Sequence, residues 1–105
     1  MYGDRAYISR LVDIYGNALS ERQRDVIDLY YNEDLSLAEI SEHCGITRQG
    51  VRDAIRHGVE SLNSLEESLG FYKKGERITA LATDIANCKD IETAKALADS
   101  IIGEL

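Results

Sequence analysis

The segment of residues 36–55, near the middle of this chain, has a pattern of capping, small and apolar residues that is compatible with few folds. Ser36 and Glu39 have the spacing of a capping box, in which each side chain accepts a hydrogen bond from the other residue's amide. Gly45 follows where a left-handed residue would close the helix, a conformation that costs a residue with a Cβ about 1–2 kcal/mol. The stretch therefore fits a helix-turn-helix template. The positions expected to bury the two helices against each other are Ile40, Cys44, Ile46, Val51 and Ala54 or Ile55.

The rest of the chain predicts further helices and no strands. Its 105 residues include no proline, and Ala, Leu, Ile and Glu are abundant, so helices are favoured throughout. We predict an all-α helix-turn-helix bundle with a long fourth helix and two C-terminal helices. The predicted helices cover about 4–16, 20–31, 36–43 and 47–69, with a fifth around 78–85 and a sixth that Asp90 caps and that continues through 101.

The fourth helix carries an apolar seam with heptad-like spacing. Gly58 lies within the seam and would let a neighbouring helix approach closely. Two interpretations are open, namely burial against the chain's own helices and formation of a homodimer. The charge pattern changes near 69–76, so we expect a helix-turn-helix domain at 1–69 and, at 70–105, a C-terminal extension that packs on it or on a dimer partner. The seam consists of Val51, Ile55, Gly58, Leu62, Leu65 and Leu69.

The net charge of −7 argues against a protein that coats nucleic acid by bulk attraction. Residues 47–57 nevertheless contain three Arg and one Asp, which makes this segment +2 within an acidic chain. Arg and Gln side chains have the fork geometry that reads guanine and adenine edges in the major groove. We predict a nucleic-acid-binding face, with DNA as the first ligand and structured RNA as an alternative. Its residues are Thr47, Arg48, Gln49, Arg52 and Arg56, and Arg22 is a candidate for a further phosphate contact.

Two less specific interpretations are also open. The arginines could balance nearby acids, for which Glu39 and Asp53 are available. The domain could instead be an adaptor that docks on a polymerase or a targeting component through Tyr30, Tyr31 and the fourth-helix seam, without contacting nucleic acid. The acidic net charge favours this alternative.

The sequence does not indicate an enzyme, a metal site or a cofactor. His43, Cys44, His57 and Cys88 lack the spacing of zinc ligands, and Cys44 is better interpreted as a small buried apolar residue. The pair Glu66 and Glu67 is expected to lie solvated on a helix face. No apolar run approaches the ~18 residues of a membrane span, and no export signal is apparent, so we expect a cytoplasmic protein without a disulfide.

Several short motifs occur together in the first two thirds of the chain. They are Leu19-Ser20-Glu21-Arg22-Gln23-Arg24, Leu29-Tyr30-Tyr31, Glu33-Asp34-Leu35-Ser36-Leu37, Glu39-Ile40, Gly45 and Thr47-Arg48-Gln49-Gly50-Val51, with Asp53 and Ile55. With these motifs the chain resembles the YlxM-like family of bacterial helix-turn-helix proteins over about residues 8–69.

This resemblance implies a fold similar to the promoter-reading region 4 of sigma factors. It also implies a link to the signal recognition particle pathway, whose components are typically encoded beside family members. The sequence departs from the family pattern at Gly50, where Ala is usual, at Arg52, where an aromatic residue is expected, and over 70–105.

Overall fold

The structure is a computed structural model that describes residues 4–105. These residues form α-helices and one 3₁₀ turn without a strand, which confirms the all-α prediction. Two compact units divide between residues 69 and 70. The helices are α1 (Arg5–Tyr15), α2 (Glu21–Tyr31), α3 (Leu37–Cys44), α4 (Arg48–Leu69), α5 (Phe71–Asn87) and α6 (Ile91–Glu104), and the 3₁₀ turn is Gly16–Ala18.

The first unit packs α1, α2 and α3 against α4. Complete burial of an aliphatic side chain stabilises the fold by about 1.5–3 kcal/mol, so this shared core is the main source of stability in the unit. Of the predicted seam, Val51, Ile55 and Leu62 are fully buried by these helices, whereas Leu65 is half-buried and Leu69 is exposed. Burial against the chain's own helices therefore accounts for the seam from Val51 to Leu62. The largest fully buried side chains are Ile8, Leu11, Val26, Ile27, Ile40, Val51, Ile55 and Leu62.

Short polar side chains begin the helices, as the sequence predicts. Both predicted capping boxes are present, at Ser20 with Gln23 and at Ser36 with Glu39. Asp90 caps α6 by accepting from the Thr93 amide at 2.7 Å. These contacts satisfy amide groups that have no partner within their own helix.

The turn between α3 and α4 has the predicted conformation. Gly45 closes α3 with φ of 67°, in the left-handed region. The Ser41 hydroxyl donates to the Ile46 carbonyl, and the Ile46 amide donates to the Ser41 carbonyl at 3.2 Å.

Cys44 is only half-buried, so its interpretation as a buried residue is wrong. The reason is that the end of α3 lies at the surface of the unit.

At Gly58, α2 packs closely against α4. A Cβ built on Gly58 would lie 2.2 Å from the Cδ1 atom of Ile27 and 3.6 Å from the Cβ atom of Gln23. Ile27 is itself fully buried and cannot move its side chain into solvent. The predicted close approach of a neighbouring helix at Gly58 is confirmed, and that helix belongs to the same chain.

Glu66 is buried, which contradicts the expectation that the Glu66 and Glu67 pair is solvated. The side chain of Glu66 is 7% exposed, and the Tyr15 hydroxyl donates to its Oε1 atom at 2.7 Å. Glu67, the next residue, is exposed. Helical geometry places Glu66 four residues after Leu62, on the buried face of α4. The hydrogen bond from α1 gives the buried carboxylate a donor and so offsets part of its desolvation.

The second unit is a hairpin of α5 and α6. Its apolar side chains reach only intermediate burial, and none of its residues is fully buried. This unit begins at Gly70, and α5 begins at the next residue, Phe71. Gly70 has φ of 67° and so ends α4 in the left-handed conformation. The half-buried apolar residues of the hairpin include Ile78, Leu81, Ile85, Ala94, Leu97, Ala98 and Ile101.

Across residues 4–105, none of the helices combines the length and the apolar character that crossing a membrane requires.

The Gly58 contact gives a first prediction. Replacing Gly58→Ala raises helix propensity by up to about 1 kcal/mol, but the new Cβ overlaps Ile27. We expect a net loss of about 1–3 kcal/mol in the free energy of unfolding, measured by urea denaturation. Gly75→Ala is the matched control, because no atom lies within 4 Å of its added Cβ, and it should be neutral or stabilising.

The same contact predicts a rescue. Ile27→Val removes the Cδ1 atom, and alone it should cost about 0.5–1.5 kcal/mol. In the Ile27→Val background, Gly58→Ala should lower the free energy of unfolding by clearly less than it does in the parent protein, because the overlap is relieved. Strictly additive effects in the double-mutant cycle would contradict the proposed overlap.

The capping box at α3 predicts a specific pH dependence. The Ser36 amide donates to Glu39, which lowers the pKa of that carboxyl below its ordinary value of 4.5. The ionised form is therefore favoured in the folded protein, and its contribution to stability is present above pH 4.5 and is lost as pH falls through the lowered pKa. Glu39→Gln keeps an acceptor at this position but does not titrate. We expect the wild type to be more stable than this variant at pH 7, with the difference shrinking on acidification in urea denaturation. A difference that grows below pH 4 would contradict this assignment.

Candidate nucleic-acid interface

The helix-turn-helix turn presents the N-terminal end of α4 to solvent. Thr47 caps the helix, because its Oγ1 atom accepts from the Gly50 amide at 2.9 Å and its carbonyl accepts from the Val51 amide at 3.0 Å. Thr47 is exposed, as are the next two residues, Arg48 and Gln49. A helix N-terminus carries a partial positive charge and attracts anions such as phosphate.

The predicted polar side chains share one side of α4. Arg52 and Arg56 are exposed one turn apart, while Val51 and Ile55, the residues just before them, are fully buried. Gln49 lies one turn before Arg52 and completes this row. Packing of α4 in the core therefore determines which of its side chains can meet a ligand.

Asp53 holds two members of this row. The Gln49 Nε2 atom donates to Asp53 Oδ1 at 3.1 Å, and the Arg56 guanidinium lies 3.3 Å from the same oxygen. The Arg56 guanidinium also lies 3.5 Å from the His57 ring. Both members of the ion pair are about half-exposed, so solvent screens it and it is readily exchanged for another anion.

Unlike Arg56, the arginines at positions 48 and 52 have no carboxylate partner in the part of the chain that the structure describes. Among residues 4–105, neither takes part in an ion pair. Glu39, which the sequence offers as a balancing acid, is instead held in the capping box with Ser36. Two exposed guanidinium groups thus remain available at the start of α4.

Arg22 lies in a different environment. It lines a cleft of about 430 Å³ whose other residues come from α2 and the end of α3. The acids in that lining are Asp25 and Asp28, which reduce the attraction of this position for phosphate. A phosphate contact by Arg22 stays a prediction. The remaining lining residues are Leu29, His43 and Cys44.

The surface expected for an adaptor is largely occupied within the unit. Tyr31 is buried and Tyr30 is half-buried, and the Arg5 guanidinium lies 5.1 Å from the ring centre of Tyr30 and 5.9 Å from that of Tyr31. Arg5 also donates to the Tyr30 carbonyl at 2.7 Å and pairs with Asp34 at 3.2 Å. The sequence carries no signal for this contact, because Arg5 and Tyr30 are 25 residues apart and belong to different helices.

No group of three or more His, Cys, Asp and Glu side chains within 4–105 is arranged to hold a metal ion.

Comparison with known proteins agrees with this architecture. A family model described as "Putative helix-turn-helix protein, YlxM / p13 like" matches residues 3–100. The match extends through most of α6, well beyond the 8–69 over which the short motifs resemble the family. Residues 70–100 therefore belong to the family pattern, which corrects the expectation that the chain departs from it after residue 69.

Individual relatives lead to the same conclusion. A UPF0122 protein of Clostridium kluyveri is 37% identical over 109 aligned positions, covering 97% of this chain and 98% of the relative. One from Acetivibrio thermocellus is 40% identical over 103 positions, with 90% and 88% coverage. One from Clostridium perfringens is 46% identical over 74 positions, with 70% and 66% coverage. The chain therefore belongs to the UPF0122 family of YlxM / p13 like helix-turn-helix proteins.

Proposed function

We propose that this protein is a nucleic-acid-binding regulatory protein that inserts the start of α4 into the major groove of duplex DNA. The observation that carries the proposal is the pair Arg48 and Arg52, two exposed cations without an ion-pair partner among residues 4–105, at the start of the second helix of a helix-turn-helix. In such motifs the N-terminal residues of the second helix contact base edges.

Each side chain of the predicted face has a role suited to its chemistry. Arg48 and Arg52 can donate two hydrogen bonds to guanine, and Gln49 can pair with adenine in the same manner. Thr47 and the free amides at the α4 N-terminus suit a phosphate oxygen. Arg56, one turn further along, would exchange the Asp53 carboxylate for a phosphate.

The charge distribution favours one docking orientation. The whole chain is −7, whereas residues 47–57 are +2, so a duplex is repelled by most of the molecule and attracted at the start of α4. Non-specific affinity should consequently be weak at physiological salt, and base contacts should supply much of the binding.

Structured RNA of the signal recognition particle is the second candidate ligand, supported by the family resemblance. We therefore propose a regulatory role in that targeting pathway, exerted in the cytoplasm without catalysis or a cofactor.

An adaptor that binds polymerase or particle proteins without nucleic acid is the competing function, favoured by the acidic net charge. Anisotropy titrations with labelled duplex DNA and labelled particle RNA, each at several salt concentrations, separate these functions. Absence of binding to both at low salt would leave the adaptor as the better account.

The free arginines give the sharpest test. Because Arg48 and Arg52 are assigned to base edges, Arg48→Ala with Arg52→Ala should weaken binding at low salt and lower the preference for one DNA sequence over another. The slope of log K against log salt should change by less than about 1.8, the value for two lost phosphate contacts at about 0.9 each. The matched control is Lys74→Ala with Lys89→Ala, which removes the same charge from exposed positions of the second unit. An equal loss in both variants would show that only net charge matters and would contradict the proposed face.

Asp53 gives a test in the opposite direction. Asp53→Asn raises the charge of residues 47–57 from +2 to +3 and releases Arg56 from its ion pair. We expect binding at low salt to strengthen about two- to fivefold, because one source of repulsion towards phosphate is removed. Glu60→Gln, an equal charge change at an exposed position further along α4, should have a smaller effect. Weaker binding by Asp53→Asn would indicate that the carboxylate positions Gln49 and Arg56 or contacts a base directly.

A further inference from the structure

One face of α6 carries large apolar side chains that remain exposed. Ile91 is 71% exposed, Ile102 68% and Leu105 86%. With the half-buried Ala98 they follow a spacing of seven, four and three residues, which places Ile91, Ala98 and Ile102 along one side of α6 and Leu105 at the residue that follows its end. We call these four residues the α6 stripe. Isolated exposed apolar residues are ordinary, whereas several along one helix face indicate an interaction surface.

The α6 stripe borders the side of α6 that packs on α5, with the half-buried Ala98 at the boundary. The guanidinium of Arg77 in α5 lies 3.4 Å from the carboxylate of Glu104 in α6. Leu97 and Ile101 are half-buried and lie on the Glu104 side of the helix. Pairing within the hairpin therefore uses one half of the apolar surface of α6 and leaves the other half exposed.

We propose that the α6 stripe binds the same stripe of a second copy of this chain, antiparallel about a two-fold axis that passes through Ala98. Ile91 and Leu105 each lie seven residues from Ala98. The axis therefore places Ile91 of each copy opposite Leu105 of the other copy. It also places Ala98 against its own copy, where a small side chain allows two helices to approach closely.

The charges beside the stripe complement each other under the same symmetry. Lys95 and Asp99 are exposed on one flank of the stripe. In an antiparallel pair, equivalent flanks face each other, and a rise of 1.5 Å per residue puts Lys95 of one copy about 3 Å along the axis from Asp99 of the other. Two symmetric ion pairs would thus border the apolar contact. This self-complementarity favours a second copy over an unrelated partner.

The proposal does not depend on nucleic-acid binding, and its test does not use nucleic acid. Light scattering of the full chain across the micromolar range, at moderate and high salt, should give the mass of two chains. High salt should preserve the dimer, because the contact is mainly apolar. A protein that stays a monomer throughout this range would overturn the proposal.

Single substitutions test which surface is used. Ile102→Glu places two carboxylates in the apolar contact and should weaken dimerisation at least about 100-fold. Ser100→Glu adds the same charge on the opposite side of α6 and should leave the dimer intact. Circular dichroism must show that both variants keep their helix content. A dimer that survives Ile102→Glu, or that Ser100→Glu disrupts equally, would place the interface elsewhere.

Charge exchange and cross-linking test the antiparallel arrangement with changes that leave Ile91, Ile102 and Leu105 in place. Lys95→Asp should weaken dimerisation about tenfold, and adding Asp99→Lys should restore it. In a background with Cys44→Ser and Cys88→Ser, Ala98→Cys should form an intermolecular disulfide on oxidation, because only residues near the axis come within 7 Å of their own copy. Ser100→Cys should not form one. Failure of the charge exchange to restore the dimer, or cross-linking by Ser100→Cys instead, would overturn the proposed axis.

Discussion

The close approach of α2 and α4 at Gly58 is the constraint on which the first unit depends. Ile27 occupies the space that any larger residue at Gly58 would need, and both positions are buried. Because α4 also packs on α1 and α3, its position relative to α2 affects the whole core. The same packing faces Val51 and Ile55 inward and leaves Arg48 and Arg52 in solvent. The candidate interface is therefore a consequence of core packing at the other side of the helix.

The polar contacts of the unit divide into two kinds. Some are local, such as the capping boxes, and they satisfy helix ends within three or four residues. Others join helices that are distant in the chain, such as Tyr15 with Glu66 and Arg5 with Tyr30. The local contacts begin the helices at defined residues, and the distant ones hold helix against helix. A buried carboxylate with a tyrosine donor belongs to the second kind and depends on the packed core for its environment.

The two units differ in how much apolar surface they bury. The first has a core of fully buried aliphatic side chains, whereas the hairpin of α5 and α6 has none. A hairpin of this length is too small to bury a core by itself. Its exposed Ile91, Ile102 and Leu105 are residues of the α6 stripe. A two-fold dimer through α6 would also join two candidate nucleic-acid faces in one particle, as many helix-turn-helix proteins require.

Local sequence determined the helices and their ends, because capping and helical periodicity involve residues only three or four positions apart. The boxes at Ser20 and Ser36, the cap at Asp90 and the left-handed Gly45 all follow from short-range geometry and were predictable. The exposed row on α4 was predictable for the same reason, since periodicity places Arg52 and Arg56 away from Val51 and Ile55.

Tertiary structure decided which polar and apolar groups become buried. Glu66 and Glu67 are adjacent residues of the same type, and the packing of α1 against α4, which brings the Tyr15 hydroxyl to Glu66, buries one carboxylate and leaves the other exposed. Cys44 follows an apolar pattern yet lies at the surface, and the tyrosines offered for docking are covered by Arg5 from another helix. Each of these outcomes depends on contacts between residues far apart in the chain. Helical periodicity identifies the face on which a residue lies, whereas the packing of other helices decides whether that face meets protein or solvent.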